Sequence, residues 1–330
     1  MINFSVAICT FNGEKRLPDV LDKLKDCCAY TAQLALETEP IIWEILVIDN
    51  NSKDNTAKVV QEYQANWPDA YPLKYYLETQ QGLSYARERA IQEAEGTLVG
   101  FLDDDNLPTP NWVASAYNFG KNHPQAGAYG GQIKADYEVI PPNNFDRIAR
   151  FLAIVEGNKS FCYNNHQNNY TVRKMLPPGA GLVVRQQAWM ENVPKQLFFC
   201  GRSDDSFVTS EDLEALVHIR KAGWEIWYTP EMKIYHRIPK ERLEKEYLIK
   251  LMRGIGLSRH HIRMLDFPAW LKPFALPIYS ANDLRKLVFY WIKYRNLLQT
   301  DIVAACEMEL LIGILMSPFY RKKDMKFIQN

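Results

Sequence analysis

Leu98-Val99-Gly100-Phe101-Leu102-Asp103-Asp104-Asp105 passes from five mostly apolar residues to three acids without a break. A short apolar run of this kind reads as a buried strand, so three carboxylates fall on its carboxyl end. Working back toward the N-terminus, Leu83, Ala86, Ala90, Ile91 and Ala94 share one helix face, with Gly96 as a stop signal. Leu73 to Leu77 is a short strand, and Val59, Val60 and Tyr63 mark a helix. Trp43 to Asp49 is a second buried strand, closed by Asn50-Asn51-Ser52. Leu17, Val20, Leu21, Leu24 and Cys28 have helical spacing, and Phe4 to Thr10 is the first strand, stopping before Asn12-Gly13. Working forward, Thr109 reads as an N-cap and Pro110 as the first turn of a further helix.

Strand and helix thus alternate about four times in the first 120 residues, which predicts an α/β fold: a mostly parallel sheet flanked by helices. Ligands of such sheets bind beyond the carboxyl ends of the strands. Thr10, Asn12, Asp49 and Asp103 to Asp105 all follow strand ends, so they are expected to converge.

The later sequence is less regular. Tyr137 to Asn144 and Asn158 to Asn169 read as loops, and Gly179-Ala180-Gly181 leads into a strand over 182–184. Thr209 to Ala222 reads as a helix, with Thr209 and Asp212 spaced as a capping box. Two strand pieces follow, over 225–228 and 233–236. Beyond Lys240 the chain is helical: an amphipathic segment over 242–265 interrupted by Gly254-Ile255-Gly256, a proline-bearing connector over 266–277, and helices over 284–298 and 301–317. The expected division is a catalytic domain over 1–240 and a C-terminal helical extension over 241–330.

Composition sets the outer bounds. The 330 residues are 47% hydrophobic and 24% charged, with 39 basic and 39 acidic side chains, so the chain is globular and formally neutral. Neutrality removes the bulk electrostatic case for nucleic acid. Residues 1–240 nevertheless hold 24 basic and 30 acidic residues, net −6, while 241–330 hold 15 and 9, net +6. The six cysteines form no Cys-x-x-Cys pair and read as reduced thiols of a cytoplasmic protein. The N-terminus shows no basic then apolar leader pattern.

Each chemical motif has a plain structural alternative. Asp103, Asp104 and Asp105 repel one another, and a hard divalent cation completed by phosphate and water relieves that repulsion; otherwise they form a solvated acidic turn. Asp49 either accepts a hydrogen bond from a base or ribose or closes an Asx-turn with Ser52. Glu211 and Asp212 suit the first turn of a helix and equally suit a general base. Gly179 and Gly181 allow close approach of backbone to a ligand. His236 ends a strand, as a structural histidine or a ligand.

The order of these pieces carries a resemblance. Val6-Ala-Ile-Cys-Thr10-Phe-Asn12, Val47-Ile-Asp49-Asn-Asn-Ser52, Gly82-Leu-Ser84-x-Ala86-Arg87, Phe101-Leu-Asp103-Asp-Asp105, Gly179-Ala-Gly181 and Glu211-Asp212 follow in turn. Together they resemble a family 2 glycosyltransferase with the GT-A (nucleotide-diphospho-sugar transferase) fold, over about residues 3–237. The whole chain is also similar to cyanobacterial hormogonium-polysaccharide glycosyltransferases.

The resemblance implies that Asp49 reads the nucleotide base, with Thr10 and Asn12 nearby. It places Arg87 near the phosphates or ribose, Asp103 at the ribose and Asp105 at the metal, Mn²⁺ or Mg²⁺, with Asp104 between them at the donor. Gly179 and Gly181 would lie beside donor sugar and acceptor. Asp212 matches the catalytic base, next to Glu211. His236 resembles the histidine completing some GT-A metal sites, and Arg237 would help neutralise the pyrophosphate. Glu88 follows Arg87 where many members have Asn, and Asp-Asn-Asn-Ser replaces Asp-Asp-Gly-Ser, so the base preference stays open. The implied partners are a nucleotide-diphospho-sugar donor and a glycan or lipid-linked acceptor.

The helix over 284–298 has basic ends around an aromatic centre, which fits either an anionic membrane surface on the cytoplasmic side or packing on the catalytic domain. The segment over 301–317 is short for a span and contains Glu307 and Glu309, against a transmembrane reading. The rival classes are a sugar-nucleotide nucleotidyltransferase, for which the loop after the first strand has too few glycines, and a nucleotide-sugar binding module without catalysis. Neither a P-loop nor a dinucleotide Gly-x-Gly-x-x-Gly motif occurs.

Overall fold

A computed structural model describes residues 2–164, 176–201 and 207–320. The chain divides into two compact units. The first comprises Met1–Asp136, Ala153–Leu197 and His218–Arg237; the second comprises Tyr137–Leu152, Phe198–Val217 and Ile238–Asn330.

Among the described residues, the first unit is built on a nine-stranded sheet. Its strands are β1 (Phe4–Thr10), β2 (Trp43–Asp49), β3 (Leu73–Leu77), β4 (Leu98–Asp103), β5 (Asn106–Pro108), β6 (Ala126–Tyr137), β7 (Phe161–Cys162), β8 (Val183–Arg185) and β9 (Glu225–Ile238). The order is β3-β2-β1-β4-β8-β6-β9-β5, with β7 pairing β9. β3, β2, β1 and β4 are parallel, as the alternating pattern predicts. The pairings of β4 with β8, β6 with β8, β5 with β9 and β7 with β9 are antiparallel, so the sheet is mixed rather than mostly parallel.

All seven residues of β1 and of β2 are buried, as parallel strands covered on both faces require. The helices of this unit are α1 (Leu17–Leu34), α2 (Thr56–Gln64), α3 (Leu83–Glu93), α4 (Trp112–Asn122) and α5 (Gln186–Asn192). The predicted face of α1, Leu17, Val20, Leu21, Leu24 and Cys28, is buried, joined in one core by Phe4, Ile8, Trp43 and Trp112.

Several boundaries differ from the sequence reading. α4 starts at Trp112, because Thr109 Oγ1 donates to Asn111 Oδ1 instead of capping a helix from Pro110. The two pieces over 225–236 are one strand, β9, continuous through Pro230. The Asn158–Asn169 loop contains β7, and its residues 165–169 lie outside the described residues.

α6 (Glu211–Lys221) starts two residues later than the capping-box reading. Ser210 has φ of 112°, which no helical turn accommodates. Its N–H donates to Glu211 Oε2, and the residues up to Val217 belong to the second unit.

The second unit also contains α7 (Lys245–Leu257), α8 (Arg259–Leu265), α9 (Lys272–Tyr294) and α10 (Ile302–Met316). Gly254 and Gly256 do not interrupt α7; the break falls at Ser258. A Cβ on Gly256 would lie 2.6 Å from the Leu310 carbonyl oxygen, and one on Gly313 2.5 Å from that of Arg253. The glycines are therefore where α7 and α10 meet backbone to backbone. The connector also proves partly helical: Pro273 sits in the first turn of α9, where no N–H is required, and Pro277 one turn on forfeits a single bond.

α10 is capped by the Asp301 carboxylate, which accepts from the Ala304 N–H at 3.0 Å. Its acids are paired, Glu307 with Arg147 and Glu309 with Arg253. By length and composition alone, Ile302–Phe319 is long and apolar enough to cross a membrane, ending two residues later than read from sequence because a 3₁₀ turn extends the helix.

Candidate active site

Strand register aligns the predicted residues. In β1, Thr10 lies beside Asp49 of β2 and Cys9 beside Asp103 of β4. Three adjacent parallel strands therefore end together on the residues singled out from sequence. Burial pushes the Cys9 thiol up to about 12, so it adds no charge beside the acids.

Asp49 is buried and already oriented. Oδ1 accepts the Ser52 N–H at 2.8 Å, the Asx-turn of the plain reading, and Oδ2 accepts from the Tyr75 hydroxyl at 2.8 Å. Burial raises the Tyr75 phenol, and the Asp49 carboxylate raises it further. Asn12, at φ of 51°, accepts the Lys53 N–H at 2.8 Å and donates its own N–H to Ser52 Oγ at 2.9 Å. The loops after β1 and β2 are thereby tied together.

The three acids have separate surroundings. Asp104 accepts from Thr10 Oγ1 at 2.7 Å and from Arg16 through Nε at 2.8 Å and Nη2 at 2.9 Å. It is thus held in a fork by protein groups, and the Thr10 hydroxyl is spent on it. Gly13 makes this possible: a Cβ there would lie 2.0 Å from Thr10 Oγ1. Sequence reading missed Arg16, although its place in the loop after β1 was the available signal.

Asp103 lies 3.9 Å from Nη2 of the buried Arg87. Desolvation by surrounding protein raises the Asp103 carboxyl above its ordinary value, Arg87 opposes this, and Asp105 adds to it. Asp103 is the more open acid, with about a third of its side chain exposed (34%). Arg87 reaches it because Gly179 has no side chain; a Cβ there would lie 2.1 Å from Arg87 Nη2. Gly181, at φ of 65°, completes the turn, in which Leu182 N–H reaches back to the Gly179 carbonyl at 3.2 Å.

Asp105 pairs with His236, Nε2 lying 3.6 Å from Oδ1. The pairing follows from β5–β9 register, which sets Asn106 opposite His236, and the Asn106 amide donates to Asp105 Oδ1 at 2.9 Å. Both side chains are buried. A hard carboxylate oxygen and an imidazole nitrogen at this separation fit two corners of a divalent ion's coordination sphere. Among the described residues no group of three or more His, Cys, Asp or Glu gathers to hold a metal. One carboxylate and one imidazole are a donor set that suits a divalent ion completed by phosphate and water.

Three predicted residues have other settings. Arg237 pairs with Asp19 and lies 3.5 Å from Asp136, so its charge is already shared between two carboxylates. Glu211 and Asp212 occupy the first turn of α6 in the second unit, where Asp212 Oδ1 accepts the Leu213 N–H at 2.8 Å. Nearby Glu214, which sequence reading passed over, is buried and accepts the backbone N–H groups of Phe198 and Phe199 at 2.9–3.1 Å. Burial works to raise its carboxyl, but these bonds and His261 hold it below the ordinary range.

Sheet and helices are arranged as in the GT-A fold. Comparison with known proteins agrees. The model of glycosyl transferase family 2 matches residues 5–190. Glycosyltransferase AglE of Haloferax volcanii is 32% identical over 260 residues, covering 74% of this chain and 75% of that protein. The glucosyl-dolichyl phosphate glucuronosyltransferase of the same organism is 23% identical over 292 residues, 86% of each. Among solved structures, the mannosyltransferase PcManGT of Pyrobaculum calidifontis, in complex with GDP-Man and Mn²⁺, superposes with a TM-score of 0.57 at 17% identity, covering 96% of this chain and 87% of that one. The chain belongs to glycosyltransferase family 2, and it is a glycosyltransferase.

Proposed function

We propose that the protein is an inverting, divalent-metal-dependent glycosyltransferase. It moves a sugar from a nucleotide-diphospho-sugar to a hydroxyl of a glycan or lipid-linked acceptor in surface-polysaccharide assembly. The observation that carries this reading is the pairing of Asp103 with Arg87 and of Asp105 with His236 just beyond the parallel strands. Support for a lipid-linked acceptor comes from the Haloferax relative named for a dolichyl phosphate substrate.

In this reading Asp49 receives the base, held in place by Ser52 and Tyr75. Asp103 accepts a ribose hydroxyl, the role open to a carboxylate about a third exposed. Arg87 supplies fixed positive charge near the phosphates from a site it can occupy only beside Gly179. Asp105 and His236 would hold the metal ion, which when bound supplies Lewis-acid stabilisation to the departing diphosphate. Asp104, fully engaged by Thr10 and Arg16, sets the loop rather than touching the donor.

Asp212 takes the proton of the acceptor hydroxyl as the oxygen attacks the anomeric carbon, and Glu211 fixes the start of its helix through Ser210. One direct displacement inverts that carbon and needs no sugar–protein intermediate. Asp212→Asn is expected to retain metal-dependent donor binding while transfer falls by about 10²–10⁴-fold. Wild-type turnover in this variant, measured by nucleotide diphosphate release, would remove Asp212 as the base.

A further inference from the structure

The second unit contains an open cleft of about 560 Å³ that the transfer chemistry does not use. Its lining includes Arg147, Arg285, Lys286, Lys293, Tyr290 and Tyr294. One acid faces these four cations: Glu307, which is paired with Arg147 and accepts from the Tyr290 hydroxyl at 2.7 Å. Among the described residues no carboxylate pairs with Arg285, Lys286 or Lys293. Among the described residues the cleft has a local excess of about three positive charges, held beside aromatic rings; Lys293 Nζ lies 4.9 Å from the Tyr294 ring centre.

α9 forms one wall and continues outward as an exposed apolar stripe. Phe274, Ile278, Val288, Phe289 and Ile292 all face solvent. At 100° per residue they fall within a sector of about 100°, which Arg285 shares, while Leu276, Leu284 and Trp291 are exposed outside it. Lys286 and Lys293 stand along the border of that sector on the side of the cleft. Apolar side chains bordered by long cations are what a helix lying in a lipid interface requires.

We propose that this face of α9 rests on a membrane and that the cleft receives the phosphate of an anionic phospholipid headgroup. Charge complementarity selects the lipid: apolar burial alone would accept any bilayer, whereas the cations lining the cleft discriminate for negative headgroups. Binding requires neither donor nor acceptor, so it stands or falls separately from glycosyl transfer.

The test is sedimentation of the full chain, without nucleotide sugar, on vesicles of phosphatidylcholine alone or mixed equally with phosphatidylglycerol. Binding is expected only to the mixed vesicles, weakening as salt rises. Lys286→Gln with Lys293→Gln is expected to weaken partition by about 30-fold, equivalent to about 1 kcal/mol per cation. The double arginine variant at the same positions is expected to keep binding, and both variants should melt with the wild type. Phe289→Ser is expected to weaken binding without abolishing the preference for phosphatidylglycerol. No binding to mixed vesicles, equal binding to both kinds, or full competition by inorganic phosphate at matched ionic strength would overturn the proposal.

Discussion

Gly179 shows how one absent side chain sets the chemistry of a neighbour. Arg87 is buried, and its guanidinium fills the space a Cβ would take. Gly179→Ala should displace Arg87 from Asp103, lower donor affinity, and cost about 1–3 kcal/mol of stability as an overpacked site. Donor titration and urea unfolding check this together; unchanged affinity would detach Arg87 from donor binding.

Glu214 gives a pH signature. Its folded pKa is depressed, so its charged form stabilises the fold above the unfolded value of about 4.3. That contribution is lost as pH falls through the lowered folded value. Glu214→Gln should be less stable at neutral pH, and its urea midpoint should fall less steeply on acidification. Parallel profiles would contradict this.

At this scale the sequence named the acids and glycines correctly as residues worth attention. It could not tell Asp104 from its neighbours, since the fork of Arg16 and Thr10 forms only after chain segments 88 and 94 residues apart meet.

Among the elements, the parallel half was legible because the apolar runs of β1, β2 and β4 and the face of α1 carry period and burial in local sequence. The antiparallel half was not. β5, β7 and β8 have two or three residues each and exist only through partners distant in the chain. Gly254 and Gly256 were misread for a related reason: glycine weakens an isolated helix, and only the packed structure shows the Phe207 backbone pressed against Gly254 and α10 against Gly256.

Two effects oppose each other at Gly256. Alanine would gain about 1 kcal/mol of helix propensity. Its Cβ, however, would meet the backbone atoms Leu310 O at 2.6 Å and Ile314 N at 2.8 Å, which cannot swing aside as a side-chain tip would. Overpacking of about 1–3 kcal/mol should win, so Gly256→Ala is expected to lower the urea midpoint. A raised midpoint would show that the helices have room to separate.

For the molecule as a whole, neutrality conceals an acidic sequence before residue 240 and a basic one after it. Part of the acidic excess is the cluster at the ends of β4 and β5, and part of the basic excess borders the exposed face of α9. Sequence could count these charges and not say which were already paired. Arg237 is an example, its partners Asp19 and Asp136 lying far from it along the chain.

The central claim is that the acids and Arg87 bind a nucleotide-diphospho-sugar through a divalent ion. Its most direct test is thermal unfolding of the full chain against a panel of uridine, thymidine and guanosine diphospho-sugars, each with and without Mn²⁺. The account predicts that at least one donor raises the midpoint only when Mn²⁺ is present, and that Asp105→Asn loses this response. Absence of stabilisation by every donor, or stabilisation indifferent to Mn²⁺, would contradict it.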